Sequence, residues 1–264
     1  MKARLVPGIA LVFFSVHAVA AVDESDDRLT FMASHLSLSD SDGGEGFSAG
    51  WLHNFDATKI LGLAVEHQTL ADVHWTFGTL NLSVGLGQAD RRSTMYLDAR
   101  AGSGSDPRNS FKYQIVSVGL FQSLTHRFSL QIEDKQIDVD ATHGNLPKVG
   151  AQFLWTPTLL TSVSYTHSTG DSLGTRLWSA RMDRYGKQFN FILGGAAGQA
   201  SPVLFDKLTG IRTPGQTLKE GFVGVTKPFP RVDVTLLGDY LRLNKQDRKT
   251  VTLNAIVHLR APAR

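Results

Sequence analysis

The chain contains no cysteine, which excludes a disulfide framework and any thiolate metal site. Past its first residues it has no apolar run of roughly 18 residues, so no helix in it can cross a bilayer. It has no large excess of one charge. There are 27 Lys and Arg against 24 Asp and Glu, and loss of Lys2 and Arg4 with a leader would leave 25 against 24. The pI near 9.2 therefore gives no ground for a nucleic-acid partner. Charged residues make up only 19%, slightly few for a soluble protein. Helical periodicity, a domain linker and a low-complexity tail are also missing.

What is present begins with MKARLVPGIALVFFSVHAVA. Lys2 and Arg4 are a positive start, Leu5 to Val16 is mostly apolar, and Ala18-Val19-Ala20 is a small-x-small cleavage triplet. Residues 1–20 therefore read as a secretory signal peptide, and residues 21–264 as one exported domain.

That domain alternates with period two. In RVDVTLLGDYLRLNKQDRKTVTLNAIVHL, Val232, Val234, Leu236 and Tyr240 share one face and Asp233, Thr235 and Asp239 the other. Val251, Leu253, Ala255, Val257 and Leu259 oppose Thr250, Thr252, Asn254 and His258. Similar segments recur along the chain, about fourteen of them, many about ten residues long, the length of a tilted membrane strand. Short breaks (TPT, RYGK, KPFP) tend to alternate with longer ones, among which SDSDGGEG, GSGSDPRNS and THGNLP read as loops. Trp51, Phe55, Trp75, Phe111, Phe128, Trp155, Phe189, Phe222, Phe229 and Tyr240 sit beside the breaks, the expected position of aromatic girdles at the two membrane interfaces.

A soluble sandwich would turn the apolar faces inward. A membrane barrel turns them toward lipid, and must close because lipid satisfies no open strand edge. Strand length, aromatic placement and the leader favour the barrel. The expected fold is all-β, a single antiparallel transmembrane β-barrel of about 12–14 strands. From about Arg28 to Leu259 the chain resembles the Gram-negative outer-membrane β-barrel proteins in architecture. The resemblance implies an outer-membrane location, with membrane lipid, lipopolysaccharide and the barrel-assembly machinery as partners. Such barrels finish on an aromatic residue. Here Leu259 would close the last strand, with Arg260 to Arg264 as an extra tail.

The polar face then lines the interior. Its charged members are the candidate pore-lining residues: Asp98, Arg100, Glu133, Lys148, Arg181, Asp183, Asp233 and Asp239. Charge rings set selectivity in pores, and the mixed signs fit a weakly selective pore or charges paired in a packed interior. The 200–216 segment, with Val203, Leu204 and Phe205, is a candidate constriction.

No cofactor or metal site is expected. The histidines lack ligand spacing, and Asp40, Asp42 and Glu45 lack the spacing of a calcium loop. The sharpest catalytic candidate is YTHSTGDS, where His167 and Thr169 share a strand face as a base and a nucleophile would. It resembles the His-x-Ser-Asn-like element of outer-membrane lipid hydrolases, but carries Thr and Gly where those carry Ser and Asn. A rim histidine before a turn accounts for it better. Three readings stand: a pore or channel component passing small polar solutes or an exported polymer, a rim lipid hydrolase using His167, and a structural or adhesive surface barrel.

Overall fold

The computed structural model describes residues 26–39, 43–56, 58–70, 73–87, 92–105, 110–139, 142–169, 174–200, 216–243 and 246–259. The leader, Asp40 and Asp42, Gly170 to Asp171, residues 201–215 and the tail after Leu259 lie outside the described residues.

Period-two patterning becomes strands throughout. They are β1 (Asp26–Leu38), β2 (Gly44–Asn54), β3 (Lys59–Leu70), β4 (Val73–Leu86), β5 (Ser93–Ser105), β6 (Ser110–Ser123), β7 (Phe128–Val139), β8 (Thr142–Asn145), β9 (Lys148–Thr156), β10 (Leu159–His167), β11 (Arg176–Arg184), β12 (Asn190–Ala200), β13 (Gln216–Pro228), β14 (Val232–Leu243) and β15 (Gln246–His258). Each pairs antiparallel with its neighbour in order, except that β8 and β9 both pair with β7, and β1 pairs with β15 from Arg28↔His258 to Leu38↔Arg248. The sheet therefore closes, and no edge is left for lipid to meet.

The fifteen strands make a fourteen-strand barrel, because β8 and β9 are one ladder. Gln136 faces Asn145 and Glu133 faces Lys148, so three steps along β7 are three steps along its partner. Leu146 bridges the gap by donating its N–H to the Lys135 carbonyl at 2.8 Å. Pro147 has no N–H to offer, and the regular ladder lapses there. THGNLP, expected as a break, is thus mostly strand. GSGSDPRNS is likewise shorter as a loop than its composition suggests, since Gly102 to Ser105 pair with both β4 and β6.

The registers give each strand an outer and an inner face. Leu236, Val251, Leu253, Val223, Ile132 and Val149 point outward and stand at least half exposed. Thr235, Asp239, Thr250, Thr252 and Glu133 point inward and are buried. A concave stretch of about 750 Å³ also crosses the outer wall of β1–β6, lined by Phe31, Ala49, Leu63, Ala99 and Ala101. It faces lipid and lies off any path through the barrel.

The connections at residues 55–58, 87–92, 124–127, 157–158, 185–189 and 229–231 share one end with Asp26 and His258, and none exceeds six residues. The other end carries the connections 39–43, 71–72, 106–109, 140–141, 168–175, 201–215 and 244–245. The two longest connections thus lie at one end, an unevenness of the kind transmembrane barrels show. At the first short turn the Asp56 carboxylate accepts from the Thr58 hydroxyl at 2.6 Å, the Thr58 N–H at 2.7 Å and the Lys59 N–H at 3.0 Å. These bonds close an Asx-type turn and hold the carboxyl below its usual range.

Outward aromatics gather at the short-turn end. Trp51 donates its indole N–H to Asp27 at 3.0 Å, Trp155 donates to Thr161 at 2.9 Å, and the Lys227 ammonium sits 5.7 and 5.0 Å from the Phe189 and Phe229 ring centroids. An aromatic girdle with a polar handle at each ring suits a headgroup layer. Three of the residues expected in a girdle are not in one. Trp75, Phe111 and Phe222 point inward by register, and Trp75 and Phe111 are buried.

The inward aromatics form a core inside the barrel. Val73, Trp75, Phe77, Phe111, Tyr113, Ile115 and Ile137 pack together with Leu36, Leu38 and Leu146 against them. They occupy the loop-bearing end of β1, β4, β6 and β7. Its floor is glycine. Gly102 faces Phe77 on one side and Tyr113 on the other; Gly104 faces Trp75 and Phe111. Phe77 and Tyr113 meet edge-on with centroids 5.6 Å apart. A Cβ on Gly104 would fall inside the Phe111 ring, so the absence of a side chain is what lets the rings lie down.

Candidate functional site: the charged interior of the barrel

All eight sequence candidates lie on the inner face by register. The structure brings six of them together as pairs. Arg100 Nε lies 3.8 Å from Asp98 Oδ1, both on β5. Lys148 Nζ donates to Glu133 Oε2 at 2.9 Å across the β7–β9 ladder. Arg181 grips Asp183 two residues along β11, with contacts of 2.7, 2.9 and 3.0 Å. Asp233 and Asp239 instead take partners that the sequence did not single out. His258 Nε2 sits 3.1 Å from Asp233, and Arg248 Nη2 sits 3.4 Å from Asp239 with both side chains almost fully buried.

Glu133 is the centre of the largest cluster. Besides Lys148 it accepts from the Tyr96 hydroxyl at 2.6 Å and from Gln131 Nε2 at 3.2 Å, and Lys135 Nζ lies 3.7 Å from its other oxygen. Gln131 also donates to the Tyr96 hydroxyl at 2.8 Å. Tyr96, Gly119, Glu133 and Lys148 occupy one register row across β5, β6, β7 and β9. The cluster is therefore a strap running along the wall. Beside it Trp75 donates to Gln68 at 3.1 Å, Gln68 donates to Glu66, and the Arg100 guanidinium carbon stands 5.6 Å from the Phe77 ring centroid.

On the facing wall Glu220 of β13 shares the Asp239–Arg248 site. At the short-turn mouth Asp26 accepts from Arg28 at 2.5 Å and lies 3.6 Å from His258. Among the described residues of the strands the inner face thus carries eight carboxylates (Asp26, Glu66, Asp98, Glu133, Asp183, Glu220, Asp233, Asp239) and six Lys or Arg side chains (Arg28, Arg100, Lys135, Lys148, Arg181, Arg248). Charges withdrawn from bulk water persist only when paired and hydrogen-bonded, which explains why nearly every one lies beside an opposite charge or a donor.

Between these two walls, stretches of the inner face carry small side chains. β2 and β3 offer Gly46, Ser48, Gly50, Gly62 and Ala64; β10 and β12 offer Ser162, Ser164, Gly194 and Ala196. Such positions take little volume from the lumen. Of the missed residues, Arg248 was hidden in the polar interruption before Val251, and Glu66 in a strand whose inner neighbours are Gly62 and Ala64. The glycine-opposite-aromatic pairing was present in sequence as Trp75-x-Phe77, Gly102-x-Gly104 and Phe111-x-Tyr113, but its meaning needs the register.

His167 faces outward. Its ring stacks on Tyr165 at 6.3 Å, and its Nδ1 is buried with no hydrogen-bond partner. Thr169 donates its N–H to the Asn145 carbonyl, continuing the β9–β10 register past the end of β10. Ser168 turns inward and accepts from the Thr175 N–H at 2.7 Å. This local order is that of a strand end leading into a loop. Among the described residues no group of three or more His, Asp and Glu side chains is placed to hold a metal ion.

No family model matches the chain, and no curated protein matches it. Solved structures do match in shape. The CymD monoaromatic hydrocarbon channel aligns with a TM-score of 0.57 at 10% identity, over 89% of this chain and 88% of that one. The toluene transporter TodX of Pseudomonas putida aligns at 0.54 and 10% identity, over 90% of each. A deltaS2 mutant of the TodX monoaromatic hydrocarbon channel aligns at 0.55 and 8% identity, over 89% and 90%. At such identity the likeness is one of fold, the transmembrane β-barrel.

Proposed function

We propose that this chain is an outer-membrane channel that lets small molecules cross through the barrel interior. The observation that carries the reading is the interior itself. Long charged side chains are held against the wall by their own pairs, and stretches of β2, β3, β10 and β12 present glycine, alanine and serine inward. That arrangement leaves room for a polar path, whereas a purely structural barrel has no need of one. The structural neighbours, hydrocarbon and toluene channels, support transport as the class of activity. The abundance of interior charge favours small polar solutes as cargo. The leader, if cleaved after Ala20, would export the chain, and a closed barrel with a lipid-facing wall suits the outer membrane, where lipopolysaccharide, phospholipid and the barrel-assembly machinery are its partners.

Purified protein in planar bilayers should show discrete conductance steps with mild cation preference, because carboxylates outnumber basic groups on the inner face. Replacing Arg100, Lys148 and Arg181 together by Gln removes three of the six positive charges. Reversal potential under a salt gradient should move further toward cations, and the shift should shrink near 1 M salt, where screening falls to about 3 Å. A silent wild-type barrel sinks the channel reading. Recovery of the protein in the soluble periplasmic fraction sinks the location.

A further inference from the structure

We infer that Tyr96, folded flat over Gly119, sets the free bore of the barrel; this rests on the channel reading above. Tyr96 and Gly119 face each other across the β5–β6 ladder with both positions directed inward. A Cβ built on Gly119 would stand closer to the nearest atom of the tyrosine ring than any side chain tolerates. The ring therefore lies on bare backbone, in a place no other residue could leave open. Its hydroxyl reaches past β6 to donate to Glu133 on β7 at 2.6 Å and to accept from Gln131 at 2.8 Å. Both ends of the side chain are thus tied to the wall.

The opposite wall repeats the device. β13 stands half-way round the ring of strands from β5, and its Phe222 faces Gly194 of β12 so closely that a Cβ there would enter the ring. Two large rings on opposite walls are thus each laid down on a glycine. Without the glycine, the ring has nowhere to go but toward the barrel axis. Solute size is then limited by how flat Tyr96 lies, which makes it a size-determining residue for small solutes.

The test is Gly119→Val, whose branched side chain occupies the place of the ring, alongside Tyr96→Ala and the double variant. Heat-modifiable gel mobility confirms that each barrel is closed. Gly119→Val should lower single-channel conductance by about two-fold or more and exclude smaller neutral polyethylene glycols. Tyr96→Ala should conduct at least as well as wild type. The double variant should recover conductance, a rescue that mere structural damage at Gly119 would not show. Should Gly119→Val fail to fold, the polymer cutoff of Tyr96→Ala decides: a larger cutoff supports the proposal and an unchanged one overturns it. A conducting wild type with unchanged conductance in Gly119→Val overturns the bore-setting role and leaves the channel reading standing. A silent wild type overturns both.

Discussion

Leu253→Arg should lose most of its folded barrel in liposomes, while Asn254→Arg, one residue on, should fold. Leu253 points outward and is 51% exposed, in the middle of β15, where no water reaches the wall. A guanidinium there costs roughly 2–4 kcal/mol, a factor of about 30 to several hundred in the folding equilibrium at about 1.4 kcal/mol per decade. Asn254 faces inward between Met32 of β1 and Thr235 of β14, where an arginine can reach water and carboxylates. The same contrast holds for Leu236→Arg on β14. The measurement is the fraction of heat-modifiable barrel after refolding into vesicles. Equal loss at Leu253 and Asn254 would mean that the two faces are assigned the wrong way round.

Glu133→Leu should be the most damaging interior change. Glu133 is 5% exposed and Lys135 is 8% exposed. Removing the carboxylate leaves the Lys135 and Lys148 ammonium groups without the anion between them and takes away the acceptor of the Tyr96 hydroxyl. Breaking a buried pair in this way costs about 3–5 kcal/mol. The partner change Lys135→Met should recover part of that loss when combined with Glu133→Leu, since it removes the charge left stranded. Urea unfolding of the vesicle-embedded barrel reads both. A Glu133→Leu barrel as resistant to urea as wild type would show that the cluster is too well hydrated for its pairing to matter.

Much of the barrel was legible because its pattern is local. Each strand of the 231–259 stretch reports its own two faces through alternation, and lipid on one side and water on the other make that alternation strict. The inward direction of Asp98, Arg100, Asp233 and Asp239 follows from their neighbours in the chain alone. Girdle placement was only partly legible, since an aromatic beside a break can turn either way: Trp51 and Trp155 face out, Trp75 and Phe111 face in. Residues counted as loop by composition, Gly102 to Ser105, are strand because glycine there serves the rings of the adjacent strands and not a turn.

Sequence by itself determined the class of the fold, the rough number of strands, the phase of the clearly alternating strands and the signs of the interior charges. Tertiary structure decided who meets whom. The closure of β1 on β15, the union of β8 with β9 across Pro147, the Arg248–Asp239 and His258–Asp233 pairs, and the seating of Tyr96 on Gly119 depend on register between strands. Register is set by hydrogen bonds and side-chain contacts between segments that the chain itself keeps apart, and alternation within any one segment is blind to it.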